Sequence, residues 1–428
     1  MKHDVIVIGM GLSGLMAAKT AADHGLKTMV LAKGAGMFQI LLGGVDLLGY
    51  YPEENPVMLE DVHPGLQDLI RTHPDHPYAR VSLEDIEKSL KSFSGVFDPH
   101  GYHYTGTPGR NALLPTGIGS LKPSYLTPST MSAGADILSE PTLLVGFQEF
   151  GNFYAAYAAQ NFRRLDPRNG GLPIRGESIG LSDISEKKAF GPAALAGQLE
   201  GEEFREKLAE KIRSIKRGEN RVGFPAILGI KNAEKVKADL EERIVARVFE
   251  LPILPPSVPG MRLFERFKDY LRTKGVRMIL GFEVVSAIQK NGRCLGVVLK
   301  TPVGERVHEA DSFVLAAGGF FGGGLRAQGD RIVEPLFELP VAQPGTKEDW
   351  FQYEFLGRKG HPINKSGVRT NGRLNPLDES GQVLLRNVFL AGRILGHHDA
   401  MREKSMGGVD IATGYKAVRN LVSSWRKE

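Results

Sequence analysis

Gly9-Met-Gly11-Leu-Ser-Gly14 follows the apolar run Val5-Ile-Val-Ile8 and opens a stretch of helical periodicity. With a second apolar run at 27–31, strand, glycine turn, helix and strand fit within about 30 residues, the span of a dinucleotide-binding βαβ unit. Gly9 permits the tight turn, Gly11 lets the backbone approach a pyrophosphate, and Gly14 lets the helix pack closely on the strand. The helix start offers N–H groups and a partial positive charge to phosphate. The fold class expected is α/β, with a Rossmann-like domain that begins at this unit and a smaller α/β module inserted in it.

The 428 residues are 42% hydrophobic and 24% charged, as in ordinary globular proteins. This length can bury two or three cores. No apolar run reaches the roughly 18 residues of a bilayer span. Met1-Lys-His-Asp4 leads straight into the first strand, so no cleavable leader is expected. Cys294 is the sole cysteine, which excludes an intrachain disulfide and a cysteine-ligated iron–sulfur cluster and suits a reducing cytoplasm. The net charge of +5 suits an anionic substrate, an acidic partner or an anionic membrane surface, and equally a solubilising surface. No basic block is interleaved with aromatics, so no nucleic-acid partner is expected.

Along the chain, a Gly-rich connection at 34–49 includes Gly43-Gly44, a Pro- and His-rich stretch runs from 52 to 77, and a helix is expected at 83–93. From Pro141 the texture changes. Strands are expected at 142–145 and 223–230, and helices at 150–162, 201–215 and 233–248. A helix stopped by Gly275 follows, then strands at 276–280, 284–288 and 295–299, with Asn291-Gly292 as a hairpin turn. Residues 1–135 and 253–428 are thus expected to form the Rossmann-like cofactor domain in two parts, the second with a β-meander and C-terminal helix. Residues 136–252 form the inserted module.

Three elements line up beyond what a nicotinamide enzyme needs: the N-terminal glycine turn, Val314-Leu-Ala-Ala317-Gly318-Gly319, and Val388-Phe-Leu-Ala-Gly392 with a later helix opened by Gly407-Gly408. Together they resemble the two-dinucleotide-domain flavoproteins. That resemblance implies pyrophosphate at the first motif, return to the cofactor sheet at the second, and closure over the flavin at the third. The start of the last helix can stabilise negative charge on a reduced flavin. The second strand ends Met29-Val-Leu-Ala32-Lys33, with Ala32 where an acid usually binds the adenosine ribose. The ribose is then held differently, or the cofactor is FMN rather than FAD.

A fuller resemblance spans nearly the whole chain. Residues 5–14, 43–48, His76-Pro-Tyr78, 254–263, 313–325, Gly367-Val-Arg369-Thr370, 387–392, Leu395-Gly396 and Gly407-Gly408 are similar to the B subunit of anaerobic glycerol-3-phosphate dehydrogenase. The resemblance implies a flavin-bearing subunit, with FMN by that family's description. It implies oxidation of sn-glycerol 3-phosphate to dihydroxyacetone phosphate, with hydride passing from substrate C2 to the flavin while a base takes the hydroxyl proton. Electrons would reach quinone through an iron–sulfur membrane-anchor subunit, alongside a catalytic FAD subunit. The chain would then be cytoplasmic and peripheral to the membrane through those partners.

Candidate cofactor residues are Gly9, Gly11, Gly14, Lys33, Gly43, Gly44, Ala317, Gly318, Gly392, Gly407 and Gly408. Arg369, Arg402 and Lys404 are candidates for the substrate phosphate, because guanidinium and ammonium groups bind phosphate well. His397, His398 and Arg393 are the catalytic candidates. For each cation a solvated surface position fits as well, and for the histidines a solvated loop pair. Adjacent histidines at 397–398 supply no metal ligand set, so no metal is expected. An electron-relay subunit without its own substrate site, and a fumarate-reductase-like oxidoreductase, fit the same motifs.

Overall fold

The first apolar run forms the strand His3–Ile8 inside a seven-stranded sheet of the computed structural model, which describes residues 2–166, 171, 173–185 and 191–425. Its parallel neighbours are Thr28–Ala32 and the end of the long strand Gly304–Leu315. Arg277–Leu280 lies beyond Thr28–Ala32, and Val388–Leu390 runs parallel to residues 313–315. Strands buried on both faces read as unbroken apolar runs, and this is why Val5–Ile8 and Met29–Ala32 do not alternate.

Glu283–Lys290, Arg293–Thr301 and the first half of Gly304–Leu315 form the antiparallel meander. Asn291 and Gly292 both have positive φ, 52° and 68°, which a two-residue hairpin with right-handed twist requires. Asn387 ties the meander to the parallel strands. Its Nδ2 donates to the carbonyls of Cys294 (2.7 Å) and Asp311 (2.8 Å), and its Oδ1 accepts from the Cys294 N–H (2.8 Å). Cys294 itself is buried, and burial pushes its thiol up to about 12.

The chain separates into two compact units, one of residues 1–37, 46–96 and 266–428 and the other of 38–45 and 97–265. The stretch expected as a module, 136–252, falls in the second unit with 38–45, 97–135 and 253–265. In the first unit, the helix Leu12–Asp23 packs on the C-terminal helix Met406–Trp425. A Cβ on Gly414 would overlap the Ser13 carbonyl, so the two backbones meet there with no side chain between them.

In the second unit, four parallel strands run in the order Ile174–Ile179, Thr142–Phe147, Arg221–Pro225 and Arg247–Leu251. The helices Ala155–Leu165, Glu202–Ile215 and Ala233–Ile244 help bury its core. Two strands here were not expected. The helix expected to reach residue 248 ends at Ile244, Val245 turns left-handed (φ 53°), and Arg247–Leu251 is extended. The helix expected from residue 150 starts only at Ala155, with Phe150 and Phe153 buried ahead of it. Arg262 is buried in this unit and donates from both terminal nitrogens to Glu250 (2.6 and 2.7 Å) and from Nε to the Gly229 carbonyl (2.6 Å).

Candidate active site

The three glycines of the first turn meet different surroundings. Gly9 has φ +111°, and a Cβ on it would overlap the Ala316 carbonyl. A Cβ on Gly14 would overlap the carbonyl of Gly9. Gly11 differs, because no described atom lies within 4 Å of where its Cβ would stand. The turn is thus shaped by protein at Gly9 and Gly14 and is open at Gly11, the position that must admit a phosphate. Among the described residues no side chain caps the helix that starts at Leu12, and its first turn carries no acid. An anion can therefore take the vacant hydrogen-bonding capacity. These residues fit a flavin nucleotide.

Ala317 and Gly318 lie beside this turn, since the Ala317 nitrogen is 3.1 Å from the Cβ position of Gly9. The following loop folds on itself, with Gly323 donating to the Phe320 carbonyl and Gly324 to that of Gly319. Gly392 also borders the first turn. A Cβ there would strike the Ser13 hydroxyl and the Asp410 carboxylate, and its N–H donates to Thr413 Oγ1 at 2.9 Å. Asp410 was not foreseen. Burial pushes its carboxyl up to about 7, against the pull of Arg393 and the Ser13 hydroxyl. Arg393 Nη1 sits 3.6 Å from Met406 Sδ.

Gly408 donates its N–H to the Asp46 carbonyl (2.8 Å), and the Tyr78 hydroxyl occupies its Cβ space. Gly407 is buried beside it. Lys33 is exposed and pairs with Glu283 at 3.2 Å. Gly43 and Gly44 belong to the second unit, where side chains of Pro259 and Met131 crowd the first and Ser124 the second.

The two histidines occupy different environments. His398 is buried edge-on to His76, ring centroids 5.7 Å apart, and neither of its ring nitrogens makes a hydrogen bond of ordinary geometry to a described residue. Burial lowers it to about 3, so it is uncharged at neutral pH. His76 accepts from the Tyr78 N–H at Nδ1 (3.1 Å), which leaves Nε2 to donate to Glu403 (3.2 Å). Glu403 also accepts from Ser405 Oγ (2.7 Å) and the Asp399 N–H (3.0 Å). Burial raises the Glu403 acid, but His76 and His398 outweigh it and hold it at about 2.

His397 has left-handed backbone, φ 66°, and lines a cleft with Asp75, Arg80, Arg369 and Thr370. Burial lowers its pKa; Asp75 opposes this, and Arg369 and Arg80 reinforce it. Arg402 is tied elsewhere, to Glu53 and to the carbonyls of Arg358 and Lys359. Lys404 has left-handed backbone (φ 51°) at the end of the short helix Ala400–Glu403. Of the three phosphate candidates, only Arg369 lines this cleft.

Sequence reasoning missed His76, Arg80, Glu403 and Asp410 as members of these clusters. His76 and Glu403 stand 327 positions apart, and nothing local in either segment marks them as partners. Among the described residues no group of His, Cys, Asp and Glu could hold a metal ion. Among them, too, no helix is long and apolar enough to cross a membrane.

The chain matches the FAD binding domain family over residues 4–409. It is 32% identical over 426 residues to the probable B subunit of the anaerobic glycerol-3-phosphate dehydrogenase of Halobacterium salinarum, covering 97% of each chain. The B subunit of the anaerobic glycerol-3-phosphate dehydrogenase of Aliivibrio fischeri is 28% identical over 440 residues, 99% of this chain and 96% of that one. A solved 3-ketosteroid delta1-dehydrogenase from Sterolibacterium denitrificans aligns over 99% of this chain and 100% of its own, at 13% identity and TM-score 0.46. With one family spanning most of its length and a relative above 30% identity along nearly all of it, the chain is a flavin-binding oxidoreductase subunit and belongs to the B-subunit family of anaerobic glycerol-3-phosphate dehydrogenase.

Proposed function

We propose that this chain is the flavin-bearing subunit through which a membrane-associated complex oxidises sn-glycerol 3-phosphate to dihydroxyacetone phosphate. Electrons leave through an iron–sulfur membrane-anchor subunit to quinone, and a catalytic FAD subunit completes the complex. The observation that carries this reading is the open space at Gly11 inside a turn that Gly9 and Gly14 close tightly, in a chain of this family. Gly9, Gly11 and Gly14 hold the cofactor phosphate, with Ala317, Gly318, Gly392, Gly407 and Gly408 around the ring. Lys33 completes the set.

A bound flavin, FMN or FAD, supplies the two-electron acceptor. The chain's own residues bind and orient the substrate and move its hydroxyl proton. His397 is the base, because burial keeps its imidazole in the neutral, proton-accepting form at neutral pH. His398 stands behind it as the second candidate and Arg393 steadies developing negative charge. Arg369 serves the phosphate, being the one of the three cation candidates that lines the cleft with His397. The engagement of Arg402 with Glu53 and two carbonyls favours a second reading, a relay subunit whose partner holds the substrate.

The test is to identify the cofactor released on denaturation and to record anaerobic spectra after adding glycerol 3-phosphate, for the lone chain and the complex. Bleaching of the chain's own flavin supports substrate oxidation here; bleaching only in the complex supports the relay. A colourless chain that releases no flavin refutes both. Gly11→Ala is expected to fold normally, since its methyl meets nothing, and to lose most of its flavin.

A further inference from the structure

We propose that the cleft between Arg80, Arg369, Thr370 and His397 is a phosphate-monoester site; as a substrate site it rests on the glycerol 3-phosphate reading above. It is lined also by Asp75, Pro77 and Leu395 and as it stands has room for about one water molecule, so a larger ligand must open it.

Three observations carry it. Arg369 donates from Nη2 to the carbonyls of Asp378 (3.2 Å) and Glu379 (3.3 Å), which fixes the guanidinium plane. Among the described residues no acceptor is bonded to its Nε or Nη1. Arg80 is braced in the same way, from Nη1 to the Pro74 carbonyl (2.6 Å) and from Nη2 to Asp75 (3.0 Å), while its buried Nε has no partner among the described residues. His397 Nε2 is likewise buried and unpartnered among them. Buried polar atoms without a partner are rare in folded proteins, and two of them belong to residues that line this one cleft, which points to a group that arrives from outside.

The charge balance selects the class of ligand. Two guanidiniums face one carboxylate, and Asp75 is already bonded to Arg80. The cleft keeps a net positive charge and two braced arginines, which suits a dianion with several oxygens. A phosphate monoester seated there brings its carbon chain beside His397, the base proposed above. Arg80 is thus a binding residue that the sequence reading did not include.

Calorimetry on the flavin-loaded full chain tests this with sn-glycerol 3-phosphate, inorganic phosphate and glycerol. Glycerol 3-phosphate and phosphate should bind, and glycerol should not. Arg80→Gln and Arg369→Gln should each weaken both by about tenfold or more, with unchanged flavin content. The Lys variants at the same positions should lose less, because they keep the charge. Unaltered binding in both Gln variants overturns the proposal, as does an absence of phosphate binding. Binding of inorganic phosphate alone overturns the monoester assignment. In the assembled complex, turnover whose KM ignores both substitutions sinks the cleft and leaves the function standing. A complex inert toward glycerol 3-phosphate, with Arg-dependent phosphate binding intact, sinks the substrate and leaves the cleft.

Discussion

Two buried ionic groups in this molecule are finished in opposite ways. In the second unit, Arg262 and Glu250 meet in a forked pair; Arg262 also reaches the Gly229 carbonyl, and Glu250 accepts the Leu228 N–H at 2.7 Å. In the first unit, Glu403 is served by His76, Ser405 and Asp399, yet His398 beside them has only the Gly396 backbone to turn to and makes no hydrogen bond of ordinary geometry to a described residue. Both groups are deeply buried, so burial does not separate scaffold from site. What separates them is completeness. A saturated ion pair answers only to the fold, whereas an unsaturated imidazole is retained at a cost and points to a use.

The largest expected effect comes from breaking the saturated pair. Glu250→Ala strands the Arg262 charge and should destabilise by about 3–5 kcal/mol in denaturant unfolding. Replacing both partners, with Arg262→Met and Glu250→Leu, should recover most of that. If the single substitution is neutral, the pair is not the closed structural unit described here.

The unsaturated side predicts the reverse. His398→Leu removes a buried imidazole that makes no hydrogen bond of ordinary geometry and should stabilise the fold by about 1–3 kcal/mol while lowering turnover. Its pH dependence is the sharper test. His398 titrates at 6.5 when free and about 3 when folded, so the unfolded chain binds the extra proton. The His398 contribution to stability should therefore fall as pH drops from 6.5 towards 3, so the difference between wild type and the Leu variant should change in that direction across this range. Stability supplied by Glu403 is complete above its free value of 4.5 and is lost progressively as pH falls from there through about 2.

The smallest expected effect is at Asp410, which lies between these extremes. Its carboxyl rises from 3.8 to about 7, so the folded state holds the extra proton. The Asp410 contribution to stability should decline as pH climbs from about 4 through 7. Asp410→Asn should abolish that decline and gain about 1–2 kcal/mol at pH 8. Unfolding midpoints across this range decide it.

The βαβ unit, meander and last helix were legible because their signals are local: an apolar run, a glycine turn, Asn291-Gly292, an amphipathic stripe. The overrun at residue 248 has a physical cause. Val236, Leu240, Ile244 and Val248 keep helical spacing, and only the left-handed Val245 interrupts them. Ile174–Ile179 escaped because Arg-Gly-Glu-Ser at its centre shows no apolar alternation. In the site, glycines could be named from the chain, since their reason is steric and near at hand. His76 with Glu403, Arg80 with Arg369, and Ser13 with Asp410 could not, because each pairing is made only by tertiary folding.

Cys294 has one further consequence. With its thiol kept protonated and its backbone held by Asn387, the chain's lone thiol is out of reach of electrophiles while the meander stays zipped. Maleimide uptake by this protein is thus a stopwatch for the opening of those strands, available without engineering a label.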